Sequence, residues 1–327
     1  MPRPKLSLVI PVFNEEETLP ELDRRLRGLL DQLPEIGEAW EVVFVEDGST
    51  DRTRVLLAEI AKREPRYKAI VFSRNFGHQA AITAGVDRAE GDAVVVMDAD
   101  LQDPPEVIAA MLERFRSGFD VVYAVRRRRR GETIFKRFTA ALFYRLMRMA
   151  TGVVIPVDVG DFRLMSRPVV LTLRALREHH RFVRGMVAWV GFRQAAVTYD
   201  REARFAGETK YPFRKMVRFA LDGITSFSIL PLRLATWLGA IAGLLAVAVG
   251  IWAVAVKFLV RGTVPGWTTI MILVALGSSA QLLMTGILGE YVGRIYEEIK
   301  RRPLYVIQDE LNFQGLAGTE SPEHREP

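Results

Sequence analysis

A chain of 327 residues with 49% hydrophobic residues and no cysteine can hold no disulfide and no thiolate metal site, and its length exceeds one ordinary domain. The net charge of +6 raises nucleic acid as a partner, but the run Arg126 to Arg130 has no aromatic residue within it, so nucleic-acid binding is not expected. Arginines of this kind suit an anionic lipid surface or a phosphate group.

From the N-terminus, "LSLVIPV" (Leu6 to Val12), "WEVVFVED" (Trp40 to Asp47), "KAIVFS" (Lys68 to Ser73), "DAVVVMD" (Asp92 to Asp98) and "DVVYAV" (Asp120 to Val125) are short, β-branched runs bounded by turn residues. Helical stretches such as "ETLPELDRRLRGLLDQL" and "DRTRVLLAEIAKRE" separate them. Alternating strand and helix predicts a parallel, doubly wound α/β sheet whose ligands bind at the carboxyl ends of the strands. The basic start "MPRPK" leads into an apolar run too short for a signal peptide, so the soluble part is expected to stay in the cytoplasm.

At the strand ends stand "FNEEE", "EDGSTD" and "DADLQD", three loops that would converge on one crevice. Ser49 or Asp51 is placed to cap the helix after the second strand. Asp98 and Asp100 lie two residues apart, so an extended backbone would aim both carboxylates to one side, as a hard cation such as Mg²⁺ or Mn²⁺ with a substrate phosphate requires. Of the four histidines only His179 and His180 are adjacent, and no spaced third ligand suggests a transition-metal site.

Residues from about 131 to 205 read as mixed. "FKRFTAALFYRLMRMA" (Phe135 to Ala150) fits a helix resting on a membrane surface and an ordinary core helix about equally, whereas "YPFRKMVRFALDGITSF" (Tyr211 to Phe227), of the same basic amphipathic character directly before the first apolar run, is the better candidate for an interfacial helix. Leu234 to Val256 and Thr268 to Gly289 then each run more than 20 residues without a charge, enough for a helix of about 30 Å that crosses a bilayer core. Arg214, Lys215, Arg218 and Arg233 precede the first span and Arg294, Lys300, Arg301 and Arg302 follow the second, which predicts two spans with both ends cytoplasmic. Gly239, Gly243 and Gly250 permit close helix packing and so a homo-oligomer. The tail after about Gln308, acidic and poor in apolar residues, reads as low in order.

The ordered set "SLVIPVFNEEETLPEL", "VEDGSTD", "SRNFGHQAAITAG", "MDADLQDPPE", "GDFRLM" and "GETKY", two spans and "GEYVGRIYEEIKRRPLY" resembles the polyisoprenyl-phosphate glycosyltransferases of glycosyltransferase family 2, most closely the bacterial undecaprenyl-phosphate glucosyltransferase branch. The likeness covers about Ser7 to Tyr305; Glu46 stands where that family usually has Asp. It implies a cytoplasmic GT-A domain (a Rossmann-like, mostly parallel sheet) over residues 1–205, a juxtamembrane amphipathic segment at 206–232, a two-helix membrane region at 233–290 and a cytoplasmic tail at 291–327. It also implies inverting transfer of a sugar, glucose in the nearest branch, from a UDP-sugar to undecaprenyl phosphate at the inner face of the bacterial plasma membrane.

Carried over by residue, the resemblance assigns nucleotide contacts to Pro11, Glu15, Asp47 and Asp98, and a Mg²⁺ or Mn²⁺ ion to Asp98 and Asp100 with Gln102 nearby. Acceptor-phosphate contacts fall to Arg126 and Arg137, and catalytic roles to Asp100 and Asp161. Asp161 would orient the acceptor, act as a base, or pair with Arg163. A processive polysaccharide synthase shares the acidic loops but carries a Q-x-x-R-W motif absent here, and a non-enzymatic membrane scaffold would leave the converging acids unexplained.

Overall fold

The computed structural model describes residues 5–34, 36–126, 159–200, 230–259 and 266–313. Four strands read from the sequence, β1 (Leu6–Val12), β2 (Trp40–Glu46), β3 (Tyr67–Phe72) and β4 (Ala93–Val96), form a parallel block in the spatial order β4-β1-β2-β3. β1 and β2 are buried along their whole length, as strands covered on both faces must be. Leu8, Ile10, Val42 and Phe44 join one core, while Val9, Val43 and Val45, pointing the other way by the two-residue pleat, join a second.

Helices α1 (Leu19–Asp31), α2 (Thr53–Arg63) and α4 (Val107–Arg116) cover the first face. α1 does so with Leu19, Leu22, Leu26, Leu29 and Leu30, one stripe at helical spacing, each buried leucine contributing roughly 2 kcal/mol of transfer free energy. On the second face lie α3 (His78–Arg88), α5 (Arg167–Ala175) and α6 (Val183–Trp189). Gly85 lets α3 approach β1 closely, because a Cβ there would fall 2.2 Å from Val9 Cγ1.

The sheet is mixed rather than parallel throughout. After β5 (Val121–Arg126), the fifth strand read from the sequence, comes β6 (Val159–Ser166), which inserts antiparallel between β4 and β5; β7 (Gln194–Tyr199) pairs parallel to β5. Because β6 runs against β4 in the register Ala93↔Ser166 to Val96↔Arg163, its first residues lie beyond the carboxyl end of β4. That reversal brings Gly160 and Asp161 to the end of the sheet where Asp98 stands.

Two long helices follow, α7 (Leu230–Leu259) and α8 (Trp267–Ile299), with Gly239 of the first against Met284 of the second. Among the described residues, Leu234–Trp252 is long and apolar enough to cross a membrane. The chain then returns: β8 (Ile307–Leu311) adds antiparallel to the β3 edge, completing the order β7-β5-β6-β4-β1-β2-β3-β8. The expectation of a poorly ordered tail from Gln308 is thus corrected as far as residue 313. Ladder bonds to β3, the Arg88 to Glu310 pair at 2.6 Å and Asn312 Nδ2 donating to Ala61 O (2.6 Å) and Tyr67 O (2.8 Å) hold this polar segment. The surface helices expected at Phe135 to Ala150 and Tyr211 to Phe227, and the "GETKY" motif, lie outside the described residues.

Candidate functional site

β1 ends at Val12 between the ends of β2 and β4, so the β1, β2 and β4 loops do converge at one end of the sheet. Pro11 sits buried in register with Val45. Its position costs no ladder bond: residues 9 and 11 face the same side, β4 takes up Val9 O through Met97 N at 3.1 Å, and β4 then ends, so no partner strand stands opposite the missing Pro11 N–H.

Most acids of the first two loops hold the loops themselves. Asn14 Oδ1 accepts from Thr50 N (2.8 Å), Ser49 Oγ from Asn14 N (3.0 Å), and Thr53 Oγ1 from Glu15 N (2.8 Å), so the half-buried Glu15 is fixed by its backbone. Glu46 is buried and accepts from Ser49 N. Asp51, not Ser49, receives the N–H of Thr53 at the start of α2 (3.0 Å), as well as that of Glu16 (3.2 Å). Burial works against the Asp51 charge, but these bonds outweigh it and lower its pKa.

Asp47, expected to meet a nucleotide, is buried with both oxygens engaged: Oδ1 accepts from Phe76 N (2.7 Å) and Gly77 N (3.2 Å), and Oδ2 from Gly77 N (3.0 Å). Burial raises its pKa against the pull of these bonds. The carboxylate thereby shapes the turn that delivers His78 at the start of α3. Next to it, Gly48 has φ +70°, and a Cβ there would fall 2.5 Å from backbone atoms of Arg74 and Asn75.

Asp98 and Asp100 do not lie on an extended segment as the two-residue spacing suggested. β4 ends at Val96 and residues 99–100 form a turn. Asp100 Oδ1 accepts the N–H of Gln102 at 3.1 Å, and Leu101 between them is buried with φ +57°, a strained conformation for a bulky side chain. Leu101 thus turns inward while Asp98, Asp100 and Gln102 stay partly accessible. Asp98 keeps 35% of its side chain exposed, yet its Oδ1 is buried and makes no hydrogen bond. Burial, then the carboxylates of Asp161, Asp103 and Asp100, push Asp98 up to about 6, with His78 pulling the other way.

Around Asp161 the structure assembles two arginines and a histidine. His78 Nε2 lies 3.3 Å from Oδ2, and Arg163 and Arg184 lie 3.3 and 3.5 Å from Oδ1. Burial opposes the charge of Asp161, but His78, Arg184 and Arg163 hold its pKa far below the usual carboxylate range. Burial brings the enclosed Arg163 down to about 10, against the attraction of Asp161. His78 Nε2 also stands 3.5 Å from Asp98 Oδ1. Desolvation would lower His78, but its bond to Asp161 and the charges of Asp98 and Asp161 raise it. A carboxylate held this way is a poor proton acceptor.

Arg126, at the end of β5, donates from Nε to Tyr199 Oη (3.2 Å), and its Nη2 lies 3.7 Å from Asp103 Oδ1, which Tyr199 Oη also reaches. Arg137 lies outside the described residues. The sequence reading missed His78, Asp103, Arg184 and Tyr199. His78 carried a readable signal, as a histidine directly after a strand-end loop; Arg184 and Tyr199 come from distant elements with no local mark.

A crevice of partly accessible aspartates, in which Asp98 Oδ1 makes no hydrogen bond, suits a hard divalent cation. The model of the Glycosyl transferase family 2 matches residues 7–173. A Bacillus subtilis protein called uncharacterized glycosyltransferase YkcC is 50% identical over 311 residues, 94% of each chain. The bactoprenol glucosyl transferase of Shigella phage SfV is 40% identical over 307 residues, 94% of this chain and 99% of that one. A prophage bactoprenol glucosyl transferase homolog of Escherichia coli is 40% identical over 304 residues, 93% of this chain and 98% of that one.

Proposed function

Since the chain belongs to glycosyltransferase family 2, we propose that it transfers glucose, with inversion, from UDP-glucose to undecaprenyl phosphate at the cytoplasmic face of the membrane. The observation that carries this reading is the junction of Asp98, His78 and Asp161 beside the Asp100 turn, at the strand ends of a chain 40% identical over nearly its whole length to bactoprenol glucosyl transferases.

An acceptor phosphate is largely ionised at neutral pH, so its oxygen attacks the anomeric carbon without a strong base while the bond to the departing UDP breaks. A fixed, low-pKa Asp161 fits that requirement: it holds His78, Arg163 and Arg184 in place and removes no proton. Mg²⁺ or Mn²⁺ held by Asp98 and Asp100 with Gln102 would neutralise charge on the leaving diphosphate. Pro11, Glu15 and Asp47 form the floor and loop against which the nucleotide lies, with Asp47 acting through the Phe76 to Gly77 turn. Arg126, steadied by Tyr199 and Asp103, and Arg137 meet the acceptor phosphate, where a planar guanidinium gives paired donors.

Membrane insertion is supported by the outward apolar surface of both helices, including Leu238, Leu244, Ile251, Leu276 and Leu282, all more than half exposed. Chain topology favours two spans. The chain leaves the sheet before α7 and rejoins it at β8 after α8, so an α7 that crosses must be answered by an α8 that crosses back. The catalytic domain then comprises residues 1–205 together with β8.

To test the metal assignment, Asp98→Asn and Asp100→Asn are assayed for labelled-glucose transfer with and without chelator. Both should lose activity by on the order of a hundredfold or more while remaining membrane-inserted. Normal, chelator-resistant turnover in both would remove the metal from the account.

A further inference from the structure

Away from the aspartate crevice, the segment between α5 and α6 meets the end of α8. The backbone N–H of His179 donates to Glu298 Oε2 at 2.9 Å. His180 Nε2 lies 2.6 Å from Glu297 Oε2, yet the pair does not line up as a hydrogen bond and this buried ring nitrogen has no hydrogen-bond partner. One ligand atom from each of His179, His180 and Glu297 falls within 4.8 Å of the others, and the two rings stand at 69° with centroids 5.7 Å apart. Glu297, at the far end of the second long helix, thus offers the third donor atom that the local sequence around the two histidines lacks.

We propose that His179, His180 and Glu297 bind a borderline divalent cation, best fitted by Zn²⁺, which ties the catalytic domain to the end of α8. Two imidazoles and one carboxylate form a donor set that Zn²⁺, Co²⁺ or Ni²⁺ prefers and Mg²⁺ does not, which separates this site from the oxygen donors Asp98, Asp100 and Gln102 of the crevice. Ligand bonds of about 2.0–2.2 Å place the donors of a tetrahedral ion roughly 3.3 Å apart, within reach of small side-chain rotations here. The remaining coordination position is open for water, beside a cavity of about 730 Å³ that His179 and Glu298 help to line. Joining a loop between α5 and α6 to the helix end, the ion braces the joint through which the membrane region meets the sheet.

The test uses tag-free, full-length protein in detergent, carrying Asp98→Asn and Asp100→Asn so that the crevice does not compete. Co²⁺ is titrated and the visible absorption of four-coordinate cobalt is recorded, followed by displacement with Zn²⁺. The expected result is one equivalent of such cobalt, displaced by Zn²⁺, and lost in His180→Asn and in Glu297→Gln. Thermal unfolding without metal checks that these variants fold like their parent; should either fail to fold, His179→Asn takes its place. A four-coordinate spectrum that is absent from the parent, or that persists unchanged in the folded variants, overturns the site.

Discussion

At the scale of single residues, acidic side chains that look alike in the sequence divide by what they touch. Asp47 and Asp51 are held by backbone N–H groups and shape loops, whereas Asp98 retains an oxygen with no hydrogen bond. Asp161 belongs to a third kind, a buried anchor between Arg163, Arg184 and His78. Removing it in Asp161→Ala should cost about 3 kcal/mol in denaturant unfolding, because Arg163 and Arg184 lose their counter-charge. The pH dependence has a definite sign. The folded pKa of Asp161 lies below its unfolded value near 4, so its contribution is full above about pH 4 and is lost as pH falls through the depressed value. Asp161→Asn should therefore flatten the stability profile of the wild type below about pH 4; an unchanged acid limb would contradict the anchor role. Gly48→Ala meets both a φ of +70° and backbone atoms at 2.5 Å, and should lower stability by about 2–3 kcal/mol. None of these roles is marked by residue type: the acidic spacing led to Asp98 and Asp100, but only the fold brings His78 and Arg184 to Asp161.

Among the elements, those with strong local patterns were legible. β1 to β5 and the helices between them follow from β-branched runs broken by turns. β6 contains the motif "GDFRLM", and nothing local in it states that it inserts antiparallel between β4 and β5. β8 reads Ile-Gln-Asp-Glu-Leu, polar enough to pass for a loose tail, because an edge strand needs an apolar partner on one face alone. Its anchor is Tyr305, stacked on Phe72 with centroids 5.1 Å apart and donating to Asp87 at 2.8 Å. Tyr305→Phe should keep the stack and lose about 1 kcal/mol in thermal unfolding. Truncation after Pro303 should do more, exposing the β3 edge and promoting aggregation measurable by light scattering.

For the whole molecule, the sheet and the long helices form one circuit. The chain departs from the sheet, traverses α7 and α8, and closes on β3, so the crevice is tied to the apolar hairpin from both directions. The two long apolar helices follow from charge-free runs in the sequence, whereas nothing local marks the closing strand. Sugar transfer to lipid phosphate is tested by offering purified protein a panel of labelled UDP- and GDP-sugars with undecaprenyl phosphate and Mg²⁺ or Mn²⁺, then counting label in the organic phase. Chelator-sensitive transfer from UDP-glucose to the lipid phosphate is expected, with none to the dephosphorylated alcohol. Transfer to the alcohol alone, or no lipid-linked product from any donor, would contradict it.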